Sequence, residues 1–199
     1  MFLNNTACNL ASLNLMRFKR EDGVFDIDRF KAAVRIYITA QEILVDNASY
    51  PTQPIAENSH IFRTLGLGFA NLGSLVMSYG LPYDSNEGRA YAGAITSIMT
   101  GHDYEQSAEM ADVKGAFPGY HDARCNGVAT PLAKDNIESM RSVVQLHRDA
   151  VEDIQPAIIL GTSKTPLATV GRRLWKRATT MATAMRRSPC WRRPARLHS

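Results

Sequence analysis

The sequence predicts an α/β chain that is mostly helical, on three observations. Apolar residues recur at three- and four-residue steps through several long segments. Thr64 to Phe69 alternates small and branched residues and reads as a short strand. Near the start, the run Asn4-Asn5-Thr6-Ala7-Cys8-Asn9-Leu10-Ala11-Ser12-Leu13-Asn14-Leu15 surrounds a cysteine with small, polar and apolar side chains. At 199 residues, with 45% hydrophobic and 21% charged, the chain is long enough for one domain with its own core.

The neighbours of Cys8 are too small and polar for an ordinary half-buried strand, while Leu10, Leu13 and Leu15 are spaced to bury. That mixture predicts a strand end or tight loop against a core, presenting Cys8 and several amides to a cavity. On composition alone, the competing reading is a buried cysteine acting as a small hydrophobe. Arg17 to Gly23 reads as a charged turn. Asp26 or Asp28 then caps a helix to about Asn47, with Ile27, Phe30, Val34, Tyr37, Gln41 and Leu44 on one stripe. Pro51 and Pro54 interrupt the chain before a short helical turn through Glu57 and His60.

Thr64 to Phe69 is expected as a buried strand whose glycines let another backbone approach. Gly66-Leu67-Gly68 with Gly73 has the wrong spacing for a dinucleotide fingerprint. A helix from Ala70 to Tyr79 ends at Gly80, and Pro82 prevents its resumption. Ser85 caps the next helix, where Tyr91, Ala94, Ile95, Ile98 and Met99 face the core, and Gly101 is expected to divide it from a second helix, Asp103 to Val113. Gly115 to Tyr120 reads as a turn, followed by a polar loop through Gly127 carrying His121 and Cys125. Thr130-Pro131 predicts the start of a long helix to about Ile154, its inward side marked by Ile137, Met140, Val144, His147 and Val151. His147 there reads as a hydrogen-bonded core histidine rather than a catalytic base.

Charge is divided unevenly. All 19 acidic residues lie at or before Asp153, so residues 1–157, with 13 basic residues, carry a net −6, while residues 158–199 hold the other 10 basic residues and no acid. The overall +4 therefore describes neither part and is no nucleic-acid footprint of the folded region. Cys8, Cys125 and Cys190 form no CxxC and no even-numbered framework, which suits a reducing cytoplasm, and His121 with Cys125 lacks two further ligands for zinc. Neither a signal-type leader nor a spanning segment is present, and the chain reads as cytosolic.

Met1 through Leu15, centred on Thr6-Ala7-Cys8-Asn9-Leu10, resembles a stretch of the adenosylcobalamin-dependent (class II) ribonucleotide reductases. Two further stretches carry the likeness: Pro54-Ile55-Ala56-Glu57-Asn58-Ser59-His60 running into Arg63-Thr64-Leu65-Gly66-Leu67-Gly68-Phe69-Ala70-Asn71-Leu72-Gly73, and Gly80-Leu81-Pro82-Tyr83-Asp84-Ser85. The resemblance implies that residues 1–157 are part of a catalytic barrel domain, a mostly helical fragment of a ten-stranded α/β barrel with one or two of its strands. It implies ribonucleoside-diphosphate reductase chemistry, in which a cobalamin cofactor generates a thiyl radical on a cysteine and a cysteine pair reduces the ribonucleotide. Residue by residue, the role of one member of that pair falls on Cys8. The resemblance also implies a ribonucleotide substrate, an external dithiol reductant, a homo-oligomeric complete enzyme and no membrane. The radical cysteine, the partner of Cys8 and the in-frame phosphate loop belong upstream or downstream, so this piece alone is expected to be inactive, and its open-edged strands predict poor solubility. Two alternatives are the large subunit of an oxygen-dependent reductase and a non-catalytic protein.

The second alternative rests on residues 158–199, whose arginine pairs and lack of acid read either as a basic tail for nucleic acid or as a change of reading frame. Back-translated from the third base of the Thr180 codon, Thr180 to Ser199 can read Gly-Tyr-Arg-Asn-Ala-Gln followed by Ala-Pro-Thr-Gly-Thr-Ile, which resembles the family's next segment. Met181, Met185 and Trp191 have single codons and restrict that match. With prolines at 166, 189 and 194 and no consistent apolar face, the tail is expected to be exposed and poorly packed.

Overall fold

The computed structural model describes residues 4–121, 124–125, 128–129 and 136–154, with backbone alone at 121, 124–125 and 128–129. The expected tail 158–199, Cys190, the side chains of His121 and Cys125, and the Thr130-Pro131 helix start all lie outside the described residues.

Two parallel strands, β1 (Asn9–Asn14) and β2 (Leu65–Ala70), pair residue for residue from Asn9 with Leu65 to Asn14 with Ala70. Parallel neighbours require a crossover. Here it consists of a 3-10 turn (Leu15–Phe18) and the helices α1 (Ile27–Asn47) and α2 (Gln53–Phe62). After β2 come α3 (Leu72–Ser78) and the long α4 (Asn86–Lys114), which packs along α1. A short α5 (Pro118–His121), a two-residue hairpin of β3 (Arg124–Cys125) and β4 (Val128–Ala129), and α6 (Asn136–Ala150) complete the order. The predicted mostly helical α/β architecture is what is seen.

The helix ends follow the capping logic. Asp26, not Asp28, caps α1 by accepting from the Arg29 amide at 3.0 Å, and the Ser85 hydroxyl accepts from the Gly88 amide at 3.0 Å. Gly80, at φ +72°, ends α3 in a Schellman arrangement in which Leu81 N donates to Val76 O and Gly80 N to Met77 O. Pro54 sits in the first turn of α2, where a missing amide costs nothing, so α2 runs ten residues rather than one turn.

Five expectations need correction. The inward side of α1 is Phe30, Val34, Ile38, Gln41 and Val45, while Tyr37 and Leu44 are 42% and 52% exposed. The expected set steps at close to 3.5 residues per turn and drifts around a helix of 3.6. Gly101 does not divide α4, because buried residues continue on both sides of it, from Ile98 and Met99 to His102, Glu105 and Ala108. That packing outweighs the cost of about 1 kcal/mol for a mid-helix glycine. The strand β2 is half-buried rather than buried, since only one of its faces meets helices. The expected polar loop after Tyr120 contains the β3–β4 hairpin. His147 is exposed, its ring 6.1 Å from that of Tyr104 at the margin of a small cluster of Val144 and Val151.

The core lies between the sheet, α1, α3 and α4. Phe30, fully buried, meets Phe18 and Phe25 edge-on at 5.1 and 5.3 Å, and Leu13, Leu15, Leu75, Ala94, Ile95 and Ile98 surround that triad. On α4 the buried His102 Nδ1 lies 2.8 Å from Glu105 Oε2, and burial pushes the Asp103 carboxyl up to about 7. No helix among the described residues is long and apolar enough to cross a membrane.

Candidate functional site

Cys8 occupies the last position before β1, and the alternation of the strand decides what surrounds it. Asn9, Ala11 and Leu13 point toward the helices, with Leu13 4% exposed. Leu10, Ser12 and Asn14 point the other way, as Cys8 does by the same parity, and Leu10 is 81% exposed. The expectation that Leu10 buries is therefore overturned: it is one residue out of step with Leu13. The cysteine is exposed and in no disulfide among the described residues, so the reading of a buried structural thiol does not hold.

On this open face, Leu10 is paired with Gly66 and Ser12 with Gly68. A Cβ on Gly66 would stand 2.5 Å from Leu10 Cδ2 and 3.3 Å from Cys8 Sγ. A Cβ on Gly68 would stand 3.7 Å from Ser12 Oγ. The glycines thus keep the floor beside the thiol bare.

The backbone around Cys8 is tied down from three elements. Ala7 N donates to Ser59 Oγ on α2 at 2.9 Å, and Thr64 Oγ1 donates to Ala7 O at 2.7 Å. From α1, Gln41 Nε2 donates to Asn9 O and to Gly66 O, each at 2.9 Å, while Asn9 Nδ2 donates to Gln41 O at 3.0 Å. Asn58 Nδ2 donates to Asn4 O at 3.2 Å. Of the amides in this stretch, Asn9 serves α1, and Asn14 Oδ1 accepts from Met16 N and Asn71 Nδ2.

Thr64 reaches Ala7 because Arg63 turns the chain out of α2 in the left-handed region, at φ 49°. Its guanidinium, 10% exposed, is held by Glu42 and, at 2.7 Å, by Asp46, both on α1. Sequence reading missed this role, and it underrated Gln41, which it counted as an ordinary stripe member. A polar residue on an apolar stripe was the available signal.

Partial burial raises the Cys8 thiol above its ordinary value, an effect that the neighbouring Thr64 hydroxyl offsets in part. Near neutral pH the group is accordingly a protonated thiol, carrying a hydrogen as well as the electrons of its S–H bond. Its Sγ lies 3.8 Å from Asn9 O. Such a group can give up a hydrogen or, with a second thiol, two electrons and two protons. Among the described residues no cluster of three or more His, Cys, Asp or Glu side chains is placed to hold a metal ion.

A family model described as ribonucleotide reductase, barrel domain, matches residues 1–171. A vitamin B12-dependent ribonucleotide reductase of Rhodopirellula baltica is 52% identical over 154 residues, covering 77% of this chain and 14% of that protein. Proteins of the same name match from Streptomyces avermitilis, 42% identical over 192 residues (84% of this chain, 20% of that protein), and from Agrobacterium fabrum, 45% identical over 171 residues (85% and 12%). The chain thus spans between 12% and 20% of the length of these relatives.

Proposed function

The chain belongs to the ribonucleotide reductase barrel-domain family, and from that premise we propose that it is part of a vitamin B12-dependent ribonucleotide reductase in which Cys8 is one of the two reducing thiols. The observation that carries the proposal is an exposed, protonated thiol standing over a glycine floor on the open face of two parallel strands. In the reaction, the 2′ C–O bond of the ribonucleotide breaks and a C–H bond forms. The oxygen leaves as water, and two thiols supply two electrons and two protons as they become a disulfide. Cys8 contributes one sulfur, one electron and one proton, and its raised pKa keeps that proton in place until it is needed. An external dithiol then regenerates the pair by exchange, attacking a sulfur that lies open to solvent.

The vitamin B12 dependence in the relatives' names favours this reading over an oxygen-dependent large subunit. A bound cobalamin supplies the radical that opens the reaction. Around Cys8, the hydroxyls of Ser59 and Thr64 and the side-chain amide donors of Gln41 and Asn9 are spent on main chain, so these residues offer it no grip. The grip on the cofactor accordingly belongs to other parts of the complete protein. We read that complete protein as a homo-oligomer acting in the cytoplasm.

A single turnover tests the role of Cys8. Pre-reduced complete enzyme is given ribonucleotide without external reductant, quenched with an alkylating agent and mapped by peptide mass. Cys8 is expected in a disulfide in proportion to the deoxyribonucleotide formed; product formed while Cys8 stays fully alkylatable would exclude it from the pair.

The division at 157 into a family segment and a basic, out-of-frame tail is part of the same proposal. The family match extends past that division, to residue 171, and the proposed frame change lies near the Ala157 codon. The coding DNA is expected to show one insertion or deletion with Gly-Tyr-Arg-Asn-Ala-Gln in the other frame. Its absence would return the basic tail to consideration as a nucleic-acid contact.

A further inference from the structure

Gln41 is the single polar member of the inward stripe of α1, and it is 3% exposed. A carboxamide in such a place costs stability unless its polar groups are paired, and here both donated bonds go to strand carbonyls, one on β1 and one on β2. The two acceptors, Asn9 and Gly66, sit almost level across the parallel pair, since Asn9 is registered with Leu65 and Leu10 with Gly66. Asn9 closes the arrangement by donating back to the Gln41 carbonyl. The remaining atom, Gln41 Oε1, has no hydrogen-bond partner among the described residues, so the amide is held in place by what it donates.

Both acceptors are neighbours of the thiol. Asn9 O belongs to the residue after Cys8 and lies 3.8 Å from Sγ, and Gly66 is the residue whose absent Cβ leaves room for Sγ. We infer that Gln41 is a positioning residue for Cys8: its carboxamide locks the β1–β2 register where the thiol emerges and draws charge from the carbonyl that faces the sulfur. The inference rests on Cys8 being a reducing thiol. Two consequences follow from Coulomb's law and geometry. With its donor removed, the Asn9 oxygen presents more negative charge to the sulfur, which disfavours thiolate and moves the titration of Cys8 to higher pH. With the clamp removed, Sγ is held less well over its floor, and the chemical step loses alignment.

The test uses complete enzyme with Gln41→Met, which keeps length and volume but removes both donors, beside Ile38→Val on the same stripe as a packing control. The pH profile of Cys8 alkylation by iodoacetamide, followed on its own peptide, is expected to move up by about half a unit or more in Gln41→Met. Its kcat is expected to fall about tenfold or more at unchanged KM for the ribonucleotide. Ile38→Val should leave the alkylation profile where it was. A Gln41→Met enzyme with the parental profile and kcat, or with only a raised KM, overturns the inference. If Gln41→Met does not fold, Gln41→Leu also removes both donors to Asn9 O and Gly66 O and is read in the same way: an upward shift in the Cys8 profile supports the inference, and an unmoved profile overturns it. Because alkylation is measured without turnover, a failure of Cys8 as the reductant is seen separately, as turnover that survives the loss of its sulfur.

Discussion

Serine in place of Cys8, introduced into a complete reductase carrying this segment, is expected to abolish multiple turnover with a dithiol reductant while leaving the fold intact. The two halves of that expectation have different causes. A hydroxyl can neither form a disulfide nor give up two electrons as half of a pair, so the sulfur's contribution cannot be made by any rearrangement around it. Stability should hardly change, because Cys8 is exposed and its S–H approaches the Asn9 carbonyl only at 3.8 Å. The four backbone bonds that fix the segment run through Ala7 and Asn9 and are untouched by the substitution. The measurement is deoxyribonucleotide formed per enzyme over many cycles, with the thermal midpoint recorded alongside. Parental turnover in Cys8→Ser would remove the role assigned to Cys8, and a collapsed midpoint would show that the cysteine was structural after all.

Helices were legible wherever a local rule decided them. Asp26 and Ser85 as caps, Gly80 as a left-handed stop, and Tyr91, Ala94, Ile95, Ile98 and Met99 as an inward stripe each need only the residues within a turn or two. Apart from the α1 stripe, whose period was misjudged, what failed depended on partners distant in sequence. That Leu10 is exposed follows from pairing with Gly66, 56 positions later, which fixes the strand parity, and nothing between residues 4 and 15 contains that information. The continuity of α4 through Gly101 depends on α1 lying along it. The site divides in the same way. Cys8 could be singled out from its neighbours and from family resemblance, but the residues that hold it arrive from α1 and α2 and the turn after it, as Gln41, Ser59 and Thr64. Of these only Gln41 left a trace in the sequence, as a polar side chain where an apolar one was due. Arg63 left none, because a left-handed, doubly paired arginine looks like any surface cation until the helix that carries Glu42 and Asp46 is placed beside it.

Gly66 separates stability from activity most sharply, and valine there is expected to move the two in opposite directions. Glycine inside a strand is costly for entropic reasons, and a β-branched residue favours extended backbone, so Gly66→Val gains on the order of 1 kcal/mol from propensity. Part of that gain is spent on contacts. The new Cβ meets Leu10 Cδ2 at 2.5 Å, but that methyl is the far end of a side chain 81% exposed and is free to rotate away. Cys8 Sγ at 3.3 Å is harder to move, because the residues on either side of it are tied to α1, α2 and Thr64. Valine's two γ-methyls then occupy the floor beside the sulfur, on the same open face from which, in the proposed function, the nucleotide approaches. The expected result is a complete enzyme with an equal or higher unfolding midpoint whose turnover falls about a hundredfold or more, through excluded substrate and a displaced thiol. Gly66→Ala, which adds the Cβ alone, should fall between parent and valine. If Gly66→Val turns over as the parent does, the open face beside Cys8 is not where the substrate lies, and the reducing thiol must work from the opposite side of β1.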